Sequence, residues 1–172
     1  LLEQLAHHEP VALRAFLTRD IFAYANVPYR IKPYASLLAN PKDSVVFDQH
    51  LEQIVQERVQ AKGADGKLVW DKHGQVRLVN LTEKLLVPLL AKLSNFIPGA
   101  GIWLNTPRPE WNDANNALVG NGCSMVTLYY IRRYLTFCQE LFRGRADQNF
   151  TLSAEVSAFL DALNLTLRRH RG

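Results

Sequence analysis

The fifteen residues Arg108-Pro109-Glu110-Trp111-Asn112-Asp113-Ala114-Asn115-Asn116-Ala117-Leu118-Val119-Gly120-Asn121-Gly122 gather most of the chemistry-bearing groups of this chain. Glu110 and Asp113 are carboxylates that can donate or accept a proton. Asn112, Asn115, Asn116 and Arg108 offer hydrogen bonds to hydroxyls, and Trp111 offers an aromatic face. Dense hydrogen-bonding groups around one aromatic ring suit a hydroxyl-rich ligand such as a sugar. The exit, Gly120-Asn121-Gly122, permits close backbone approach or unusual dihedrals. The plain alternative is a capped turn, because Asn and Asp form turns and begin helices without any ligand.

Trp111-Asn112-Asp113, with acidic Glu110 before it and a small residue and then Asn115 after it, resembles the Asp-Trp-Asn-Asp-Gly-x-Asn loop of cellobiose and chitobiose phosphorylases. Glu110 stands where that loop has its first Asp, and Ala114 where it has Gly. The resemblance implies an (α/α)6 barrel and an inverting reaction. It also implies that Asp113 is the general acid that protonates the glycosidic oxygen. Such an acid must keep its proton near neutral pH, which burial or a neighbouring negative charge achieves, and Glu110 is close enough in sequence to supply the charge. Two carboxylates on one short loop rarely face each other across a sugar, as an inverting pair must. The second catalytic group is therefore expected on another segment.

Other candidates carry less. His7-His8-Glu9 lacks the spacing of a zinc helix and reads as a solvated helix end. Tyr29, Arg30 and Tyr34 read as a packed connector, with a sugar groove as the alternative. Three glycosylation-like triplets begin at Asn80, Asn149 and Asn164; the pattern is short and arises readily by chance. Cys123 and Cys138 fall in one predicted helix, roughly 22 Å apart along its axis, too far for a disulfide. They read as small buried hydrophobes compatible with a reducing, cytoplasmic compartment.

The elements that must position the loop are mostly helical by apolar spacing. Helices are expected over 1–8, from Pro10 to Ala25, 34–39, 45–62, 80–94, 124–142 and from Ser153 onward. Asn80 with Glu83 three residues on forms a capping-box-like start. Leu68-Val69-Trp70 and Gln75 to Val79 flank a four-residue turn and predict one small β-hairpin. The helix over 124–142 is apolar around most of its circumference, which predicts burial among other helices.

The expected fold is all-α with a small β-hairpin, forming a portion of an (α/α)6 toroid. Residues 1–172 are expected to form a single helical domain, a fragment of a larger (α/α)6 catalytic domain. The first residue is Leu, and Leu1 to Leu5 reads as the middle of an amphipathic helix. The expected partners are an oligosaccharide or glycoside substrate, with water or phosphate as acceptor, and the remainder of the polypeptide or a second chain that completes the barrel. No metal or organic cofactor is expected.

The 172 residues are 48% hydrophobic and 21% charged, values of a globular chain with room for one real core. Nucleic acid is not an expected partner: the formal charge of +4 owes much to Arg168-Arg169-His170-Arg171, which ends a predicted helix. A membrane is not expected either, because no apolar run reaches about 18 residues. The expected function is cleavage of a glycosidic bond. The alternative is a carbohydrate-binding or helical interaction domain without turnover.

Overall fold

The computed structural model describes residues 2–40, 43–105, 121–145 and 147–170. In chain order the elements are α1 (Leu2–His8), α2 (Pro10–Phe16), β1 (Phe22–Ala23), β2 (Tyr29–Ile31), α3 (Tyr34–Ala39), β3 (Val45–Phe47) and α4 (Gln49–Lys62). A 3-10 turn (Gly63–Lys67), β4 (Leu78–Val79), α5 (Leu81–Leu93), β5 (Phe96–Ile97), β6 (Gly101–Asn105), β7 (Asn121–Ser124), α6 (Met125–Phe142) and α7 (Ala154–Arg169) follow.

This corrects the expected fold. The described residues are not an all-α portion of an (α/α)6 toroid: seven α-helices are interleaved with three small antiparallel sheets, paired β1–β4, β2–β3 and β5–β6–β7. Backbone pairing outweighs helical periodicity at two places and redraws the expected hairpin at a third. The expected helix from Pro10 to Ala25 stops at Phe16. Beyond it the Thr82 hydroxyl donates to the Leu17 carbonyl at 2.8 Å, and the Ile21 N–H donates to Val79 at 3.1 Å. The expected helix start at Val45 is instead β3, antiparallel to β2 with Tyr29 opposite Phe47, Arg30 opposite Val46 and Ile31 opposite Val45. Branched Val45 and Val46 suit that ladder. The single expected hairpin shrinks to a turn, in which Trp70 bridges Val76 while Leu68 bridges Ala25 and β4 pairs with β1.

The chain divides into two compact units, one of residues 1–22, 79–102 and 124–172, the other of 23–78 and 103–123. The first unit is built on α1, α2, α5, α6 and α7. Its larger cluster joins Leu13, Leu17, Leu81, Leu85 and Leu141, with Phe16, Tyr134, Phe137 and Phe150 packed against it. A second cluster joins Leu89, Ile102 and Ile131. Leu17 and Ile102 are wholly buried, each contributing about 1.5–3 kcal/mol of hydrophobic stabilisation. Asn80 begins α5 as expected, its side-chain oxygen accepting the Glu83 N–H at 3.0 Å. α6 departs from expectation: Ile131 and Leu141 are buried, but Met125, Val126, Tyr129, Tyr130 and Leu135 face outward.

In the second unit, Asp48 begins α4. Its Oδ1 accepts the Leu51 N–H at 3.0 Å, and the Arg30 guanidinium donates to Oδ2 from Nε at 2.9 Å and Nη2 at 2.8 Å. The Leu51 N–H, then Arg30, hold the Asp48 carboxyl below its ordinary range, partly opposed by desolvation. Gly66 sits where a Cβ would run into the backbone of Arg58 and Val59, so the 3-10 turn closes directly onto α4. Among the described residues no helix is long and apolar enough to cross a membrane.

Candidate functional site

Arg108, Glu110, Trp111, Asn112, Asp113, Asn115 and Asn116 all lie outside the described residues. The elements on either side of them are described. β6 leads into segment 106–120 and β7 leads out of it, and these two strands are hydrogen-bonded neighbours in one sheet. The entry and exit of the segment are thus held on adjacent strands.

Both strands are tied to the core at their inner ends. On the β6 side Phe96 pairs with Ile102 and Ile97 with Gly101, and Ile102 packs with Leu89 and Ile131. On the β7 side Ser124 is buried and begins α6: its hydroxyl oxygen accepts the Thr127 N–H at 3.1 Å and the Thr127 hydroxyl at 3.0 Å. Gly101 brings the two sides together. A Cβ placed on it would lie 2.9 Å from the Ser124 carbonyl oxygen and 3.2 Å from the Met125 nitrogen, and its φ of +122° lies in the region that favours glycine. Only glycine lets β6 pass this close to the start of α6.

Among the remaining sequence candidates, His7 and His8 end α1 on the surface with rings edge to face at 4.7 Å. Among the described residues no three His, Cys, Asp or Glu side chains come together as a metal set. Tyr29, Arg30 and Tyr34 are exposed rather than a packed connector, and Tyr29 meets Phe47 edge to face at 5.3 Å. Cys123 lies in β7 rather than in a helix with Cys138, because the strand extends to Ser124 before α6 begins. Both thiols are free. Burial pushes the Cys138 thiol up, partly offset by its hydrogen bond with Tyr134. Asn80, the first Asn of a glycosylation-like triplet, is 1% exposed and committed to capping α5. Asn164 lies within α7, where its side-chain oxygen accepts from Arg168 Nε.

One contact escaped the sequence pattern. A capping box would return the Glu83 carboxylate to Asn80. Instead it accepts the N–H and hydroxyl of Ser153, seventy residues away. Local spacing carries no signal for so distant a partner.

No protein-family model matches the sequence, and no curated protein matches it significantly. The resemblance to the phosphorylase loop therefore rests on the short run from Glu110 to Asn115.

Proposed function

We propose that this chain is a carbohydrate-active protein that cleaves a glycosidic bond with inversion, by hydrolysis or phosphorolysis, with Asp113 as general acid. The observation that carries the reading is the run Glu110-Trp111-Asn112-Asp113-Ala114-Asn115 with Arg108 before it. The anchoring of β6 and β7 supports it, because catalytic groups on a loop need a rigid base.

In this reading Trp111 stacks on a pyranose ring, while Arg108, Asn112, Asn115 and Asn116 hydrogen-bond its hydroxyls. Asp113 gives its proton to the glycosidic oxygen as the bond to the anomeric carbon breaks. Water or phosphate attacks that carbon from the opposite face, which inverts its configuration. The leaving sugar departs as a neutral alcohol. The charge of Glu110 helps Asp113 retain its proton until it is needed. A group on another segment orients the acceptor and takes the proton that an attacking water gives up, and the chemistry requires no metal or organic cofactor. The free thiols Cys123 and Cys138 fit a cytoplasmic setting.

Glu110 and Ala114 stand where the phosphorylase loop has Asp and Gly. That observation favours a second reading, in which the loop binds carbohydrate without turning it over. The deciding experiment incubates the protein with unactivated gluco-oligosaccharides, with and without phosphate, alongside Asp113→Asn. Turnover that the variant loses supports catalysis. Binding without turnover supports the second reading, and neither binding nor turnover removes both.

A further inference from the structure

We infer that a second carbohydrate subsite lies between α1 and α6, formed by Tyr130, Arg133 and Glu3 and taking a neutral pyranose. A cavity of about 350 Å³ is lined there by Leu2, Glu3, Tyr130, Arg133, Tyr134 and Phe137. This is the size range of small-ligand sites, roughly 300–1,000 Å³. The inference rests on the carbohydrate reading above but uses none of the residues of segment 106–120.

Helical spacing builds the wall. Tyr130, Arg133, Tyr134 and Phe137 recur three and four residues apart and so share one face of α6. The inner half of that face is fixed. The Tyr134 hydroxyl donates to the Leu85 carbonyl at 2.9 Å, and Tyr134 and Phe137 pack against the larger core cluster. The outer half is open, with Tyr130 67% exposed. An aromatic face held on a rigid helix beside a cavity can stack on the apolar C–H face of a sugar ring.

The charged groups narrow the ligand class. Among the described residues neither Glu3 nor Arg133 makes an ion pair or a side-chain hydrogen bond, although both line the one cavity. An anionic ligand would satisfy Arg133 and be repelled by Glu3; a cationic ligand would do the reverse. A vicinal diol satisfies both, because each hydroxyl can accept from the guanidinium and donate to the carboxylate. Glu3 and Arg133 are both exposed, and a zwitterion matches the pair of charges as a diol does; the carbohydrate reading above selects the diol, and a diol flat on one side is a pyranose.

The test uses the full chain carrying Asp113→Asn, so that no probe is consumed, with NMR titration of glucose and cello-oligosaccharides and phenylalanine as a zwitterionic control. The expected result is millimolar binding that perturbs Tyr130 and Arg133 resonances. Tyr130→Ala, and separately Arg133→Ala, should weaken it at least tenfold while Trp111→Ala leaves it in place. All three variants should keep the parent's circular dichroism and melting. Sugar binding that disappears with Trp111→Ala but survives Tyr130→Ala overturns this subsite and leaves the proposed function standing. Absence of sugar binding at any residue overturns both. Perturbation of the Tyr130 face by phenylalanine and not by sugars overturns the ligand class.

Discussion

The carboxylate of Glu83 in α5 accepts two hydrogen bonds from Ser153 at the start of α7, from the backbone N–H at 2.6 Å and from the hydroxyl at 3.1 Å. Glu83 is 3% exposed. Its negative charge lies at the N-terminal end of α7, where the helix dipole favours it. Beside it, Asn80 caps α5 and donates to the Thr151 carbonyl at 2.7 Å. Two neighbouring side chains at the start of α5 thus fix where α7 begins.

Glu83→Ala is expected to cost about 2–3 kcal/mol, because charged hydrogen bonds contribute roughly 1.5–3 kcal/mol and the Ser153 N–H loses its acceptor. Glu83→Gln should cost less, since the amide oxygen still accepts one of the two bonds. In a double-mutant cycle with Ser153→Ala, urea unfolding should show coupling of about 1 kcal/mol or more through the hydroxyl. Additive losses would show that the Ser153 hydroxyl contact is energetically idle.

Local signals in this sequence are legible where the partner is near and silent where it is far. Asn80 with Glu83 announces a helix start because the cap binds a backbone N–H three residues on. The Leu13, Leu17 and Ile21 periodicity misled because Val79 and Thr82, some sixty residues away, take the backbone groups that a longer helix would have used. The run from Val45 misled for a related reason: β2 supplies a ladder that helical spacing cannot reveal. Of the candidate site, the anchoring strands are described and the chemistry remains a matter of sequence. Even there the role of Gly101 was hidden, because its close neighbour Ser124 is remote in sequence.

Gly101→Ala should destabilise the protein by about 1–3 kcal/mol, from the left-handed backbone and the contact with the Ser124 carbonyl together. Melting followed by circular dichroism measures the loss. Because the contact joins β6 to the start of α6, any activity of segment 106–120 should fall further than global stability alone would dictate. A variant that melts like the parent would show that this junction relaxes freely.

Tyr134 gives the fold an alkaline limit. Burial, and then the neighbouring Cys138, raise the phenol well above its ordinary value of 10. The unfolded chain therefore releases this proton at a lower pH than the folded one. Tyr134 stabilises the fold fully below pH 10, and that contribution declines as pH rises above it through the folded pKa. Ultraviolet titration should show one of the six tyrosines ionising late or only on unfolding. Tyr134→Phe should flatten the alkaline loss and lower stability at neutral pH by about 1 kcal/mol, through loss of the bond to Leu85. Six tyrosines titrating together would exclude this burial.

The outward apolar side of α6 predicts association. Met125, Val126 and Tyr129 are 43%, 55% and 62% exposed on neighbouring turns, a concentration of apolar surface that proteins seldom leave bare. Val126→Lys with Tyr129→Lys should reduce dye binding and concentration-dependent association in sedimentation, with stability changing by no more than about 0.5 kcal/mol. A parent protein that stays monomeric and binds no dye would contradict the reading of this surface.

The strongest test of Asp113 lies in the leaving group rather than in a simple loss of activity. In the proposed reaction its proton is needed because a sugar alkoxide leaves poorly. Asp113→Asn keeps the shape and hydrogen bonding of the side chain but cannot donate that proton. Turnover of an unactivated glycoside should therefore fall on the order of 10²–10⁴-fold, while substrate binding stays within a few-fold. An aryl glycoside with an acidic phenol leaves without protonation, so its turnover should fall far less. Glu110→Gln should impair the unactivated substrate less than Asp113→Asn does. It should also shift the alkaline limb of the pH–rate profile to lower pH, because the charge that helps Asp113 keep its proton is gone. Parallel losses on both kinds of glycoside would assign Asp113 to positioning or folding, and equal activity of variant and parent on the unactivated glycoside would remove it from the reaction.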